Sequence, residues 1–216
     1  MFIQPKSLTL IRHGESEGNV IAKMKSEGKK VSEDLLLNKG THLFELTSLG
    51  VDQAIVAGEY LRAEGIVFDT YLVSQYLRAQ KTFELVFPGK EPDEVRSDIN
   101  EYDRGYDWLY PENLGELFPT ELESKKLKSH HYRSIGGENM TDLDLRIRSF
   151  LIWISLYHAD EHVVVVGHGG WIKSAWVILT GYPRPDWDVP NASIMTFVRS
   201  QNGKKLEFRD LVEPEV

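Results

Sequence analysis

The chain has 216 residues, of which 41 % are apolar and 27 % charged, and its 33 acidic and 25 basic residues give a net charge of −8. That composition fits a globular chain of about one domain, is not that of a disordered chain, and argues against nucleic acid as the main partner. The lack of cysteine excludes disulfides, thiolate catalysis, zinc fingers and iron–sulfur clusters together.

No apolar run approaches the ~20 residues of a membrane span. Met1–Leu10 contains Pro5 and Lys6 and lacks the apolar stretch of a signal peptide, so a soluble, cytoplasmic protein with no membrane partner is expected. Ser7–Ile11 reads as a strand. Residues 17–46, with Lys23, Lys25, Lys29 and Lys30, read as a helix followed by a loop insertion. Thr47 opens a helix to about Glu64, with Val51, Ala54, Ile55 and Gly58 at helical spacing and Gly65 as its stop. Thr70–Ser74 is a second strand, Leu77–Phe87 a helix ended by Pro88-Gly89, and Glu94–Asp98 a weaker third strand. Residues 100–138 are irregular and rich in aromatics. Asn139–His158 carries a stripe of Leu143, Ile147, Phe150, Leu151 and Ile154. His162–Val166 is a continuous apolar run, as expected of a strand covered on both faces. A helix over Gly170–Leu179 precedes two strands, Ser193–Arg199 and Lys205–Phe208, around the turn signal Gln201-Asn202-Gly203. The alternation predicts an α/β protein, a three-layer α/β/α sandwich around a mostly parallel sheet. Short linkers and an even composition predict a single domain over 1–216, with insertions at about 20–46 and 100–138.

Three strand ends carry the chemistry. The first strand runs into Arg12-His13-Gly14-Glu15-Ser16, the second ends at Ser74 just before Arg78, and the third of these runs into Gly167-His168-Gly169-Gly170. Open α/β sheets bind ligands beyond the carboxyl ends of their strands, so one rim gathers two histidines and two arginines. Arg12 and Arg78 offer planar forks that fit phosphate oxygens. Gly14, Gly169 and Gly170 let backbone N–H groups approach an anion at helix mouths. Phosphoryl transfer needs an in-line nucleophile and positive charge around three equatorial oxygens, and a histidine is a nitrogen nucleophile at neutral pH. The surrounding charges should depress the attacking histidine's pKa and keep it neutral. Elsewhere the reading is plainer. Lys125, Lys126 and Lys128 form a solvated face, His130 and His131 diverge and hold no metal, and Tyr102, Tyr106 and Trp108 pack.

These residues resemble the histidine phosphatases, the phosphoglycerate mutase-like superfamily. Arg12–Asn19 (RHGESEGN), Leu46–Ala54 (LTSLGVDQA), Ser74–Thr82 with Gln75 where proline is usual, Gly136-Gly137-Glu138 with Arg146, Gly167–Gly170 and Asn191-Ala192-Ser193 each resemble an element of that family. The resemblance implies that His13 is the nucleophile and becomes a phosphohistidine. Arg12, Arg78 and His168 would hold the phosphoryl group and its developing charge, with Asn19 and the Gly169 amide beside them. A carboxylate after the third strand would be the general acid, Glu101 first and Asp103 second. The implied partner is a small phosphorylated substrate, with no metal and no other cofactor. The mutases carry an arginine pair and a lysine after their acid. Here only Arg104 follows closely, with Arg133 further on, so phosphatase is expected over mutase-type phosphotransferase or a non-catalytic phospho-ligand binder.

Overall fold

The computed structural model describes residues 3–31, 39–105, 123, 132–184 and 186–215. Six strands form one sheet in the order β3-β2-β4-β1-β5-β6: β1 (Ser7–Arg12), β2 (Thr70–Ser74), β3 (Glu94–Arg96), β4 (His162–Gly167), β5 (Ile194–Arg199) and β6 (Leu206–Val212). Neighbours from β3 to β1 are parallel, and β5 and β6 close one edge antiparallel. Five helices are described: α1 (Glu17–Ser26), α2 (Ser48–Ala63), α3 (Leu77–Val86), α4 (Met140–Tyr157) and α5 (Gly169–Thr180).

The valine run of β4 shows why the sheet is central. Val163 and Val165 face one cluster, which α4 and α5 complete with Leu143, Ile147, Phe150, Ile154, Trp171 and Ala175. Val164 and Val166 face the opposite cluster, with Ala54, Ala57 and Leu61 from α2 and Ala79, Phe83 and Val86 from α3. Strand side chains alternate between faces, so an unbroken apolar run must be covered twice. Fully burying one Leu, Ile or Phe side chain is worth about 1.5–3 kcal/mol, which makes these two layers the sheet's main support.

Helix ends follow their sequence signals. The Thr47 hydroxyl accepts from Gly50 N–H at the start of α2, and Asn139 and Asp142 form a reciprocal capping box at the start of α4. β3 stops at Arg96, two residues short of the expectation, because Ser97–Ile99 turn into a 3₁₀ helix. β6 starts one residue late and runs four residues past Phe208. A bulge between Thr196 and Phe197 breaks the register there, so one alternation pattern could not mark the strand's full length. No described helix is long and apolar enough to cross a membrane.

Register sets the rim. Arg12 pairs with Gly167 and Val73 with Val166, so β1, β2 and β4 end level with one another.

Candidate active site

The level strand ends open into a cleft of about 980 Å³ whose lining includes Arg12, His13, Asn19, Arg78, Glu101 and Gly169. His13, Arg78 and His168 are 3 %, 7 % and 0 % exposed, so the polar floor is held out of water.

Each ring has a defined orientation. His13 Nδ1 lies 2.7 Å from the Gly14 carbonyl oxygen, which can only accept. Nδ1 therefore carries the hydrogen and Nε2 the lone pair. That lone pair accepts from Arg78 Nε–H at 3.1 Å. The His13 carbonyl is clamped by Asn191 Nδ2 at 3.0 Å and by Ala192 N–H at 3.2 Å. His168 stands edge-on to His13 with ring centroids 5.1 Å apart, and its Nε2 lies 2.7 Å from Ser74 Oγ. Arg78 Nη1 also donates to the Thr41 carbonyl at 2.8 Å, and Arg12 Nη1 donates to the Val189 carbonyl.

Burial pushes the His13 pKa well below the ordinary histidine value, and Arg78 and Arg12 add to this. His168 is lowered in the same way, chiefly by burial, with Arg78, His13 and Arg12 contributing. The neutral nucleophile expected from charge alone is thus produced mainly by desolvation. Burial also lowers Arg78, to about 10, which leaves it charged at neutral pH.

Two buried side-chain nitrogens have no partner within the protein among the described residues: Arg12 Nε and His168 Nδ1. Buried polar groups are normally paired, so two orphans at the adjoining ends of β1 and β4 mark a place built to receive a polar ligand.

Glu101 is held at the mouth of α5. Its carboxylate accepts from Tyr102 N–H at 2.8 Å and from Gly170 N–H at 3.2 Å. A Cβ on Gly170 would lie 2.4 Å from Glu101 Oε1, so a larger residue there would displace the carboxylate from this position. Arg146 fixes the segment after β3 that delivers Glu101. Its fork grips Glu138 at 3.0 and 2.8 Å, and its Nη1 donates to the carbonyls of Asp98 and Asn100, both at 2.9 Å. Asp103 also lines the cleft, while its Oδ1 accepts from Gly105 N–H.

Two expected glycine roles change. Gly14 N–H donates to Thr82 Oγ1, not toward the cleft, and a Cβ on Gly14 would lie 2.1 Å from the Gly50 carbonyl oxygen. A Cβ on Gly50 would meet the Glu15 carbonyl oxygen at 1.9 Å. The two glycines let α2 press against the loop after β1, where Gln53 accepts from Glu15 N–H at 2.8 Å. Gly170 N–H is likewise engaged by Glu101. At Gly169 a Cβ would lie 3.1 Å from Arg12 Nε, which places that residue against the guanidinium.

Asn19 Oδ1 accepts from the Ser16 N–H and hydroxyl at 3.0 and 2.9 Å and from Asn191 Nδ2 at 3.3 Å. Its Nδ2 is the donor that remains at the cleft. Asn191, Val189 and Thr82 have no role from the sequence, although Asn191 lies in the Asn-Ala-Ser element and Thr82 ends the Ser74–Thr82 element. Arg133 pairs with Asp142 at 2.5 Å and does not line the cleft. Arg104 does line it, and Lys173 and Arg184 join it from α5 and the following loop. Tyr106, Trp108, Lys125, Lys126, Lys128, His130 and His131 lie outside the described residues.

Residues 8–210 match the family model of the histidine phosphatase superfamily (branch 1). Among curated proteins, a 2,3-bisphosphoglycerate-dependent phosphoglycerate mutase of Afipia carboxidovorans is 30 % identical over 179 residues, covering 80 % of each chain. One of Methylorubrum extorquens is 29 % identical over 81 % of this chain and 79 % of its own. Among solved structures, the alpha-ribazole phosphatase of Shigella flexneri superposes with a TM-score of 0.75 at 24 % identity, covering 97 % of this chain and 96 % of that one. The phosphoserine phosphatase of Entamoeba histolytica gives 0.68 at 22 % identity, covering 95 % of both.

Proposed function

Because this chain belongs to the histidine phosphatase superfamily, we propose that it is a metal-independent phosphomonoesterase that hydrolyses small phosphorylated metabolites through a phosphohistidine on His13. The observation that carries this is the pair of orphan nitrogens, Arg12 Nε and His168 Nδ1, beside an imidazole whose Nε2 lone pair is already oriented.

The chemistry follows from that floor. A phosphoryl oxygen is a better partner for a guanidinium than a neutral imidazole is, so the bound phosphate takes Arg78 and releases the Nε2 lone pair. Nε2 attacks phosphorus in line, and the P–O bond to the alcohol breaks. Glu101 gives its proton to the departing oxygen. Water then attacks the phosphohistidine, Glu101 takes a proton from it, the P–N bond breaks and inorganic phosphate leaves. Arg12, Arg78, His168 and Asn19 offset the charge that develops on the equatorial oxygens.

The curated relatives favour a second reading, a mutase-type phosphotransferase. Lys173, Arg184 and Arg104 in the same cleft would suit a second anionic group. One experiment separates the two readings: phosphate release from a panel of monoesters with and without chelator, beside 3- to 2-phosphoglycerate conversion with bisphosphoglycerate added. Phosphate release should dominate and resist chelation. Mutase turnover an order of magnitude above phosphate release would overturn the hydrolase assignment.

A further inference from the structure

Four groups stand in line behind His168, and chemistry fixes which donates and which accepts. The Gln75 backbone N–H can only donate, and it meets Asn100 Oδ1 at 3.2 Å, so the amide oxygen faces that way. The same oxygen lies 2.9 Å from Ser74 Oγ and can only accept, which commits the single Ser74 proton to Asn100. Ser74 Oγ accepts from Tyr76 N–H at 3.2 Å and has a second lone pair for His168 Nε2 at 2.7 Å. Nε2 must therefore carry the hydrogen. The neutral ring then has a bare lone pair at Nδ1, the buried atom without a partner.

We infer that Asn100 is a positioning residue that sets the proton state in which His168 meets a phosphoryl group. Acting through Ser74, it locks the neutral ring as the Nε2–H form, so an anion can be held at Nδ1 only after His168 gains a proton. The inference rests on the reading of the cleft as a phosphoryl site. A phosphoryl oxygen brings lone pairs, and two lone pairs repel.

Titratable and charged groups reach His168 from every side. Arg12 and His13 come from the end of β1, Tyr76 and Arg78 from the start of α3, Arg146 from α4, and Glu101 lies on the Gly170 amide. Burial and the cationic neighbours hold the ring neutral before an anion arrives. A bound dianion reverses that balance. Over pH 7.0–8.5 Arg78 stays charged and Tyr76 lies above its ordinary value, while His13, lowered like His168, is told apart from it by its own nitrogen-15 signals. Binding of a proton-free dianion should thus take up one proton and weaken by about tenfold for each pH unit gained.

Tungstate is such a dianion and serves as the probe. Its dissociation constant is measured from pH 7.0 to 8.5 for the unmodified protein, Asn100→Ala and Asn100→Asp. The unmodified protein should lose about tenfold per unit, and nitrogen-15 spectra of histidine-labelled protein should show His168 passing from the Nε2–H form to imidazolium as tungstate is added. Asn100→Ala frees the Ser74 hydroxyl to donate to Nε2, which leaves Nδ1–H on a neutral ring. Its slope should flatten to less than about twofold per unit. Asn100→Asp keeps the acceptor and should keep the slope. A pH-independent affinity in the unmodified protein overturns the inference, as does an unchanged slope in Asn100→Ala. If Asn100→Ala does not fold, the slope and spectra of the unmodified protein decide. Tungstate that binds at no pH overturns the phosphoryl-site reading together with the inference.

Discussion

The floor of the cleft and its outer walls are built from different material. On the floor, His13, Arg78 and His168 are nearly inaccessible, and each side chain is aimed by at least one backbone or buried side-chain partner. On the walls, Lys23 and Arg184 are exposed, and Lys39 leans on Glu17 and Glu45, which are part solvated. Burial makes the floor rigid and electrostatically strong, so it can stabilise a charge common to every phosphate ester. Exposed side chains on loops hold little energy each but adapt to the remainder of a substrate. Floor substitutions should therefore damage all substrates alike, and wall substitutions should re-rank them.

The largest effect is expected at His13. His13→Ala should fold and lose on the order of 10⁴–10⁶ in turnover on every monoester, because no other floor group can take the phosphoryl group. Acid quenching with labelled substrate should trap an acid-labile phosphoenzyme in the native protein and none in the variant. Normal turnover in the variant would sink the nucleophile assignment. Glu101 tests the step that depends on the leaving group. Glu101→Gln should cost about 10²–10⁴ on alkyl phosphates and far less on nitrophenyl phosphate, whose leaving oxygen hardly needs a proton. Equal losses on both would move the role to Asp103.

Arg78→Ala should cost about 10²–10³ in kcat/KM, uniformly across substrates, and should weaken phosphate inhibition. A phosphate affinity that does not change would place Arg78 outside the binding floor. The same floor should show in stability against pH. His13 and His168 are held below the ordinary histidine value, so the unfolded chain binds protons that the folded one resists. Stability is complete above about pH 6.5 and falls below it, by up to about 1.4 kcal/mol per pH unit for each histidine. Urea melts between pH 7.5 and 5.5 measure this, and a flat profile would mean that the two rings charge freely. The smallest effect belongs to the walls. Lys23→Ala should change kcat/KM by less than about tenfold and should reorder a panel of monoesters; a uniform loss across the panel would erase the distinction between wall and floor.

What could be read from the sequence divides along the same line. β2 and the helix starts at Thr47 and Asn139 were legible because they depend on local patterns: a short apolar run and side chains that bond their own backbone. The floor was legible because Arg-His-Gly and Gly-His-Gly-Gly each follow an apolar strand, and parallel register brings strand ends together. What escaped were long-range pairings. Gly14 against Gly50 joins residues 36 apart in sequence, Asn191 on the His13 carbonyl joins residues 178 apart, and Asn100 reaches Ser74 over 26. No periodicity encodes such contacts, and a glycine reads the same whether it approaches a ligand or a neighbouring backbone. The Gly14 and Gly170 amides were misassigned for that reason.

The clamp on the His13 carbonyl has a consequence for how the protein is made. Asn191 and Ala192 immediately precede β5, and β5 pairs with β1 across more than 180 residues. β4, the other neighbour of β1, is itself about 155 residues distant. Until both arrive, β1 has no partner for either edge, and the His13 carbonyl lacks its clamp. Contacts of such separation form late and slowly. The reactive centre is therefore among the last parts of this sheet to close, and a product lacking β5 should be unable to cleave a phosphate ester, however much of the remaining sheet has formed.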